Sequence, residues 1–328
     1  MPDDTTLRTG RLLRRAGPPE PVEGFAGVQV HDRRLAEVLS PDAPLLCLHE
    51  GTLHGEGTVW DAAGERLVWS DVSNRRVLGW HPDGRVEVLM DATQFVNGNA
   101  FDAEGRLVHC EHGRRCISRS PAGPLADGGA APIVTHYEGR RLNSPNDVVV
   151  AADGAIWFTD PTFGLLVPSQ GSLAEPELDH RSVYRFSPRD GSLRRMADLE
   201  QPNGLAFSPD GRTLYVSDTG LSLREIPGPY DGEAHEVVAF DVAGDGALSG
   251  RRSFCRTEHG VPDGLKVDSR GWVWTTAGDG VHVLASDGTR LGFIATPQVS
   301  SNCAFGGPGM RRLFIAATEQ LLAIDLRG

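Results

Sequence analysis

The chain is 328 residues long, carries 40 glycines and 22 prolines, and is 39% hydrophobic. That balance argues against long helices and suits many short strands joined by turns, a class that often reaches this length undivided. The formal net charge of −12 comes without a basic stripe, and no apolar run is long enough to span a bilayer, so neither nucleic acid nor a membrane is an expected partner.

Residues 1–42, rich in Pro, Arg and Asp, read as an N-terminal extension that is partly disordered. Order is expected to be weak over the first 20 or so, with 25–42 packing as a short extension. The opening MPDDTTLRTGRLLRRAG has no apolar core, so no signal peptide is expected. The five cysteines, Cys47, Cys110, Cys116, Cys255 and Cys303, are widely spaced and form no CxxC pair. They read as free thiols of a reducing compartment, which points to a cytoplasmic protein.

From residue 43 to 328 one pattern recurs six times. The segments are Glu56-GTVWDAAGERLVWSD, Asn97-GNAFDAEGRLVHCEH, Asn146-DVVVAADGAIWFTD, Asn203-GLAFSPDGRTLYVSD, Asp263-GLKVDSRGWVWTTA and Asn302-CAFGGPGMRRLFIAAT. Each opens on Glu, Asn or Asp, runs through a short apolar strand, turns on residues such as DAEG or SPDG, and returns in a second strand. Each is therefore a β-hairpin. The spacing fits the ~40–50 residues that a four-stranded propeller blade needs, with room for insertions at 164–181 and 220–236. Stretches such as SVYRFSPRDG and VHVLASDG supply third strands. Blade 6 runs out of chain after its third strand, so APLLCLHE at 43–50 is expected to complete it. The fold class is all-β: a six-bladed β-propeller of four-stranded blades closed by an N-terminal strand.

Equivalent points of the innermost strands face one another across a propeller channel. Here that point carries Glu56, Asn97, Asn146, Asn203, Asp263 and Asn302. Any one of them could be a strand-end turn cap. Six in register make a ring of side-chain oxygens, and converging carboxylates repel unless a cation lies among them. Such a donor set suits Ca²⁺, Mg²⁺ or Mn²⁺ before Zn²⁺.

At these residues the chain resembles the SMP-30/gluconolactonase/luciferin-regenerating enzyme family, and most nearly its bacterial gluconolactonase branch. The resemblance rests on GEGTVWDAAGERLVWSD, NGNAFDAEGRLVHCEHGRR, RLNSPNDVVVAADGAIWFTDPTFG, QPNGLAFSPDGRTLYVSD and VPDGLKVDSRGWVW, spanning about residues 50–280. It implies a six-bladed propeller with one divalent metal in the channel, held by Glu56, Asn146, Asn203 and Asp263. The family's EGPVW reads EGTVW here, with Thr58 in place of the proline and the Glu kept.

The implied activity is metal-dependent hydrolysis of a small-molecule sugar lactone, aldonolactone to aldonic acid, by metal-activated water. The resemblance assigns Asp263 as catalytic base; the metal-activated water acting by itself is the rival account. Asn97, Glu111, His112, Arg141 and Asn143 are candidate substrate contacts, with Asp160 beside them and Asn302 sharing Asn97's register. Asp71 and Asp218 read as turn caps, and His54 as either a site residue or an ordinary loop histidine. The readings left open are a phosphotriesterase on the same metal site, a non-catalytic ligand-binding propeller, and a metal-independent synthase-like propeller. The oligomer is expected to be a monomer or homodimer.

Overall fold

The structure, a computed structural model, describes residues 12–14, 18–121, 129–224 and 232–327. Six antiparallel sheets stand in a ring. Their innermost strands are Gly55–Asp61, Val96–Phe101, Val148–Val150, Pro202–Phe207, Leu265–Val267 and Ser300–Gly306. Each of these touches the next, and the sixth touches the first, so the ring is closed. The six-bladed propeller expected from the repeats is the fold.

The blades adhere because both faces of each middle strand are apolar. In Arg66–Asp71, Leu67 and Trp69 face blade 6 while Val68 faces blade 2, as the two-residue period of a strand requires. The same holds around the ring. Six buried clusters lie between neighbouring blades, centred on residues such as Trp274 and Ile315, Phe158 and Tyr184, or Trp157 and Val216.

Closure follows the expected route. Leu46–Glu50 pairs antiparallel with Gln320–Asp325, with Glu50 opposite Gln320 and Leu46 opposite Ala323. The N-terminal segment goes further than expected. Leu12–Arg14 adds to the outer edge of blade 1, Glu20–Pro21 to blade 6, and Gln29–Val30 to blade 5. A short helix, Arg33–Val38, then buries Leu35 and Val38 in the core between blades 5 and 6. Asp32 caps it, accepting from the Arg34 amide at 2.9 Å. The expected weak order over the first 20 or so residues falls mostly on residues 1–11 and 15–17, outside the described ones.

The two expected insertions begin as a one-turn helix, Phe163–Leu166, and a 3₁₀ turn, Gly220–Leu223. The second continues into residues 225–231, which lie outside the described ones. Among the described residues, no helix is long and apolar enough to cross a membrane.

Candidate active site

Four of the six ring residues are followed by glycine: Gly57, Gly98, Gly204 and Gly264. The packing explains why. A Cβ on Gly98 would sit 2.5 Å from the Asn146 carbonyl oxygen, and one on Gly264 the same distance from Asn302 Nδ2. The inner strands meet backbone to backbone, with Gly98 N–H donating to Asn146 O at 2.7 Å. This close approach draws the ring residues together.

Hydroxyls on the second strands fix the ring from outside. Ser70 Oγ donates to Asn97 O at 2.7 Å, Ser217 Oγ to Asp263 O at 2.6 Å, and Thr276 Oγ1 to Gly264 O at 2.9 Å. Each hydroxyl reaches the next blade's ring segment or its own. The signal was in the sequence, as the Ser or Thr that recurs late in the WSD, VSD and TTA stretches. The repeat reading passed over it.

Glu56, Asn97, Asn146, Asn203 and Asp263 line one cavity of about 150 Å³. Among the described residues, His54, Phe163, Val167, Gln170, Ser222, Leu223 and Val261 form the rest of its wall. The sixth ring residue, Asn302, lies beside it. Its Nδ2 donates to Glu56 Oε2 at 3.2 Å and its Oδ1 accepts from Thr58 Oγ1 at 3.0 Å. His54 Nε2 stands 3.9 Å from Glu56 Oε1.

The electrostatics are those of crowded carboxylates. Burial, then the nearby Asp147 charge, pushes Glu56 up to about 7. Burial raises Asp263 as well, reinforced by Glu56 and Asp147, while a hydrogen bond from Asn203 works the other way. Lys266, the chain's one lysine, opposes the rise at Glu56 and Asp147. Two oxygens, Asn97 Oδ1 and Asp263 Oδ1, are buried with no hydrogen-bond partner in the protein. Crowded carboxylates beside acceptors left unpaired fit a hard cation, whose charge removes the repulsion. Among the described residues, no three His, Cys, Asp or Glu side chains assemble into a metal-binding group. The ring offers amides and two carboxylates, an oxygen donor set of the kind hard cations take.

The other candidate contacts lie away from this cavity. Glu111 faces a separate groove and accepts from Arg114 Nη1 at 3.3 Å. Arg141 donates to Arg114 O at 2.9 Å on the surface side. Asn143 is buried, donating through its amide N–H to Asp160 Oδ2 at 2.8 Å and through Nδ2 to His180 O at 3.0 Å. Asp160 thus caps the turn entering its own blade. Asp71 does the same for Leu53 N–H at 2.9 Å, and Asp218 for Gln201 N–H at 2.8 Å.

His112 is fully buried behind the wall, its Nδ1–H donating to Gln170 O at 2.9 Å. It belongs to a set of anchors for the segment 162–170. Ser73 Oγ holds Ser169 O at 2.8 Å, Ser144 Oγ accepts from Gly164 N–H at 3.0 Å, and Gln201 Oε1 accepts from Thr162 N–H at 3.0 Å. Those anchors come from blades 1 to 4, so the segment is a fixed cap over the channel mouth.

Comparison with known proteins finds relatives in sequence and in fold. Residues 54–319 match the model of the SMP-30/Gluconolactonase/LRE-like region. A gluconolactonase from Zymomonas mobilis is 31% identical over 316 residues, covering 89% of this chain and 83% of that protein. The solved structure of a gluconolactonase from Xanthomonas campestris is 51% identical, with a TM-score of 0.88, covering 96% of this chain and 99% of that one. A calcium-binding protein, regucalcin, from Agrobacterium tumefaciens shares the fold at 19% identity and a TM-score of 0.67, covering 93% and 95% of the two chains.

Proposed function

The chain belongs to the SMP-30/gluconolactonase/LRE-like family, and from that premise we propose that it is a lactonase opening sugar lactones with the help of one divalent cation in the channel. The observation that carries the proposal is the cavity floor, where Glu56 and Asp263 converge with amide oxygens around buried acceptors that the protein leaves unpaired. Glu56, Asn146, Asn203 and Asp263 hold the cation, with Ca²⁺ the foremost choice for an oxygen-only set. When bound, the cation supplies Lewis acidity, polarising the lactone carbonyl and acidifying the attacking water.

The chain's own residues do the rest. Asn302 holds Glu56 through Oε2 and leaves Oε1 facing the cavity side, toward His54. The Asn203 amide favours the charged form of Asp263. Asp263, with Oδ1 unpaired, takes the proton from water as its oxygen bonds to the carbonyl carbon. The ring C–O bond then breaks, and the departing oxygen receives that proton to give the hydroxy acid. Asn97 Oδ1 is the free acceptor for a substrate hydroxyl. Of the other candidates, His112 serves through the cap it anchors, while Glu111, Arg141 and Asn143 do not line this cavity.

The test is a lactone panel read by acid release, run on protein stripped with a chelator and then resupplied with Ca²⁺, Mg²⁺ or Mn²⁺. Hydrolysis should vanish on stripping and return with the ion. Full activity after complete stripping contradicts the metal-dependent reading.

A further inference from the structure

The wall above the ring is unevenly built. Phe163 and Val167 from the cap, Leu223 from the 3₁₀ turn and Val261 from the loop before Asp263 present carbon to the cavity. Among the described residues, polar groups of that wall outside the ring come from His54, Gln170 and Ser222. Ser222 Oγ is already committed, donating to Thr219 O at 2.7 Å. Among the described residues, a fully hydroxylated lactone whose carbonyl sits at the ring therefore meets mostly carbon where its remote hydroxyls need partners, with the Gln170 side chain as a polar exception. A hydroxyl pressed against such a wall loses water without a replacement bond, while a C–H or methyl group there gains burial. The wall cannot yield easily. The cap that carries Phe163 and Val167 is fixed to four blades through Ser73, His112, Ser144 and Gln201.

Resting on the lactonase reading, we infer that the site is specific for lactones deoxygenated on the side remote from the carbonyl, and that Phe163, Val167, Leu223 and Val261 determine this. The polar floor serves the reacting end of any lactone; the carbon wall selects at the other end. Discrimination by an apolar pocket against an added hydroxyl reaches about 100-fold at most, so the parent sugar lactone is a slower substrate and not an excluded one.

The experiment compares kcat/KM of the metal-loaded protein on glucono-δ-lactone and its four monodeoxy analogues, lacking the hydroxyl at C2, beside the carbonyl, or at C3, C4 or C6, remote from it. At least one remote-deoxy lactone should exceed the parent by about 10-fold or more, within the range apolar pockets achieve, and the 2-deoxy lactone should not. Val167→Thr and Val261→Thr each add one hydroxyl at nearly constant volume, and each should shift the ratio several-fold back toward the parent. A parent preferred over every remote-deoxy analogue, with the ratio unmoved in both variants, overturns the inference and leaves the lactonase reading standing. Turnover of none of the five contradicts the lactonase reading itself.

Discussion

Asn302, on the last inner strand, donates from Nδ2 to Oε2 of Glu56 on the first, across 3.2 Å. The same Asn302 accepts from Thr58 Oγ1 at 3.0 Å. Ring closure and the orientation of a proposed cation donor are thus one contact. Asn302→Ala leaves a buried carboxylate oxygen and a buried hydroxyl without this partner, which costs about 1–3 kcal/mol. Calcium affinity should fall by about 10–100-fold, as for other residues that orient a metal ligand. Calorimetric titration together with a urea melt measures both effects.

The hydroxyl collar predicts a smaller effect of the same kind. Ser217→Ala removes the donor to Asp263 O, a 2.6 Å contact, and leaves that carbonyl short of a partner. A loss of about 1 kcal/mol in stability is expected, as for an ordinary hydrogen bond. The Asp263 main chain loosens, so kcat/KM should drop more than stability alone would suggest. Thermal unfolding and lactone kinetics on the same preparation separate the two.

Folding buries two histidines, His109 and His112, in neutral form, and acid should weaken their contribution to stability. Burial lowers His109 to about 4, between Asn99 Oδ1 at 2.7 Å and Ser120 Oγ at 3.0 Å. His112 is likewise lowered to about 4, by burial first. At these two histidines the unfolded chain, near 6.5, binds more protons than the folded one between those values, so their contribution to stability rises with pH across that interval, opposite in sign to that of Glu56 and Asp160, which burial raises to about 7. The contribution is fully present above about 6.5 and lost as pH falls through 4. His109→Gln should lower Tm more at pH 7 than at about pH 4, removing this histidine's share of the pH dependence. An unchanged slope counts against this account.

The N-terminal segment covers the outer edges of blades 1, 6 and 5, edges that would otherwise offer unpaired backbone to another chain. Leu35, fully buried between blades 5 and 6, fastens it. Leu35→Ala should cost about 2–5 kcal/mol. Deletion of residues 1–42 should add aggregation on mild heating, detected by light scattering.

Much of the ring was legible in the sequence because its determinants are local. Alternating apolar residues and Asp-Gly turns define each hairpin, and the first polar residue of each hairpin falls at one height in the channel. Closure by 46–50 was legible because blade 6 visibly lacked a strand. The cavity wall was not. Nothing local tells that the chain after Thr162 folds over the channel, or that Gly220–Leu223 turns toward it, since those placements depend on Gln201, Ser144 and His112 from other blades. For the same reason Asn143 and Glu111, close in sequence to ring elements, point elsewhere. Asp160 resembled a sugar contact because a turn-capping carboxylate and a substrate-binding one share a residue type.

The central claim is that Glu56, Asn146, Asn203 and Asp263 hold one catalytic cation. Calorimetric titration of Ca²⁺ into chelator-stripped protein, wild type beside Glu56→Gln, tests it most directly. The account predicts one ion per wild-type chain, lactone hydrolysis that rises in proportion to occupancy, and loss of both in the variant. Calcium binding unchanged in Glu56→Gln, or hydrolysis at full rate before any ion is added, would contradict it.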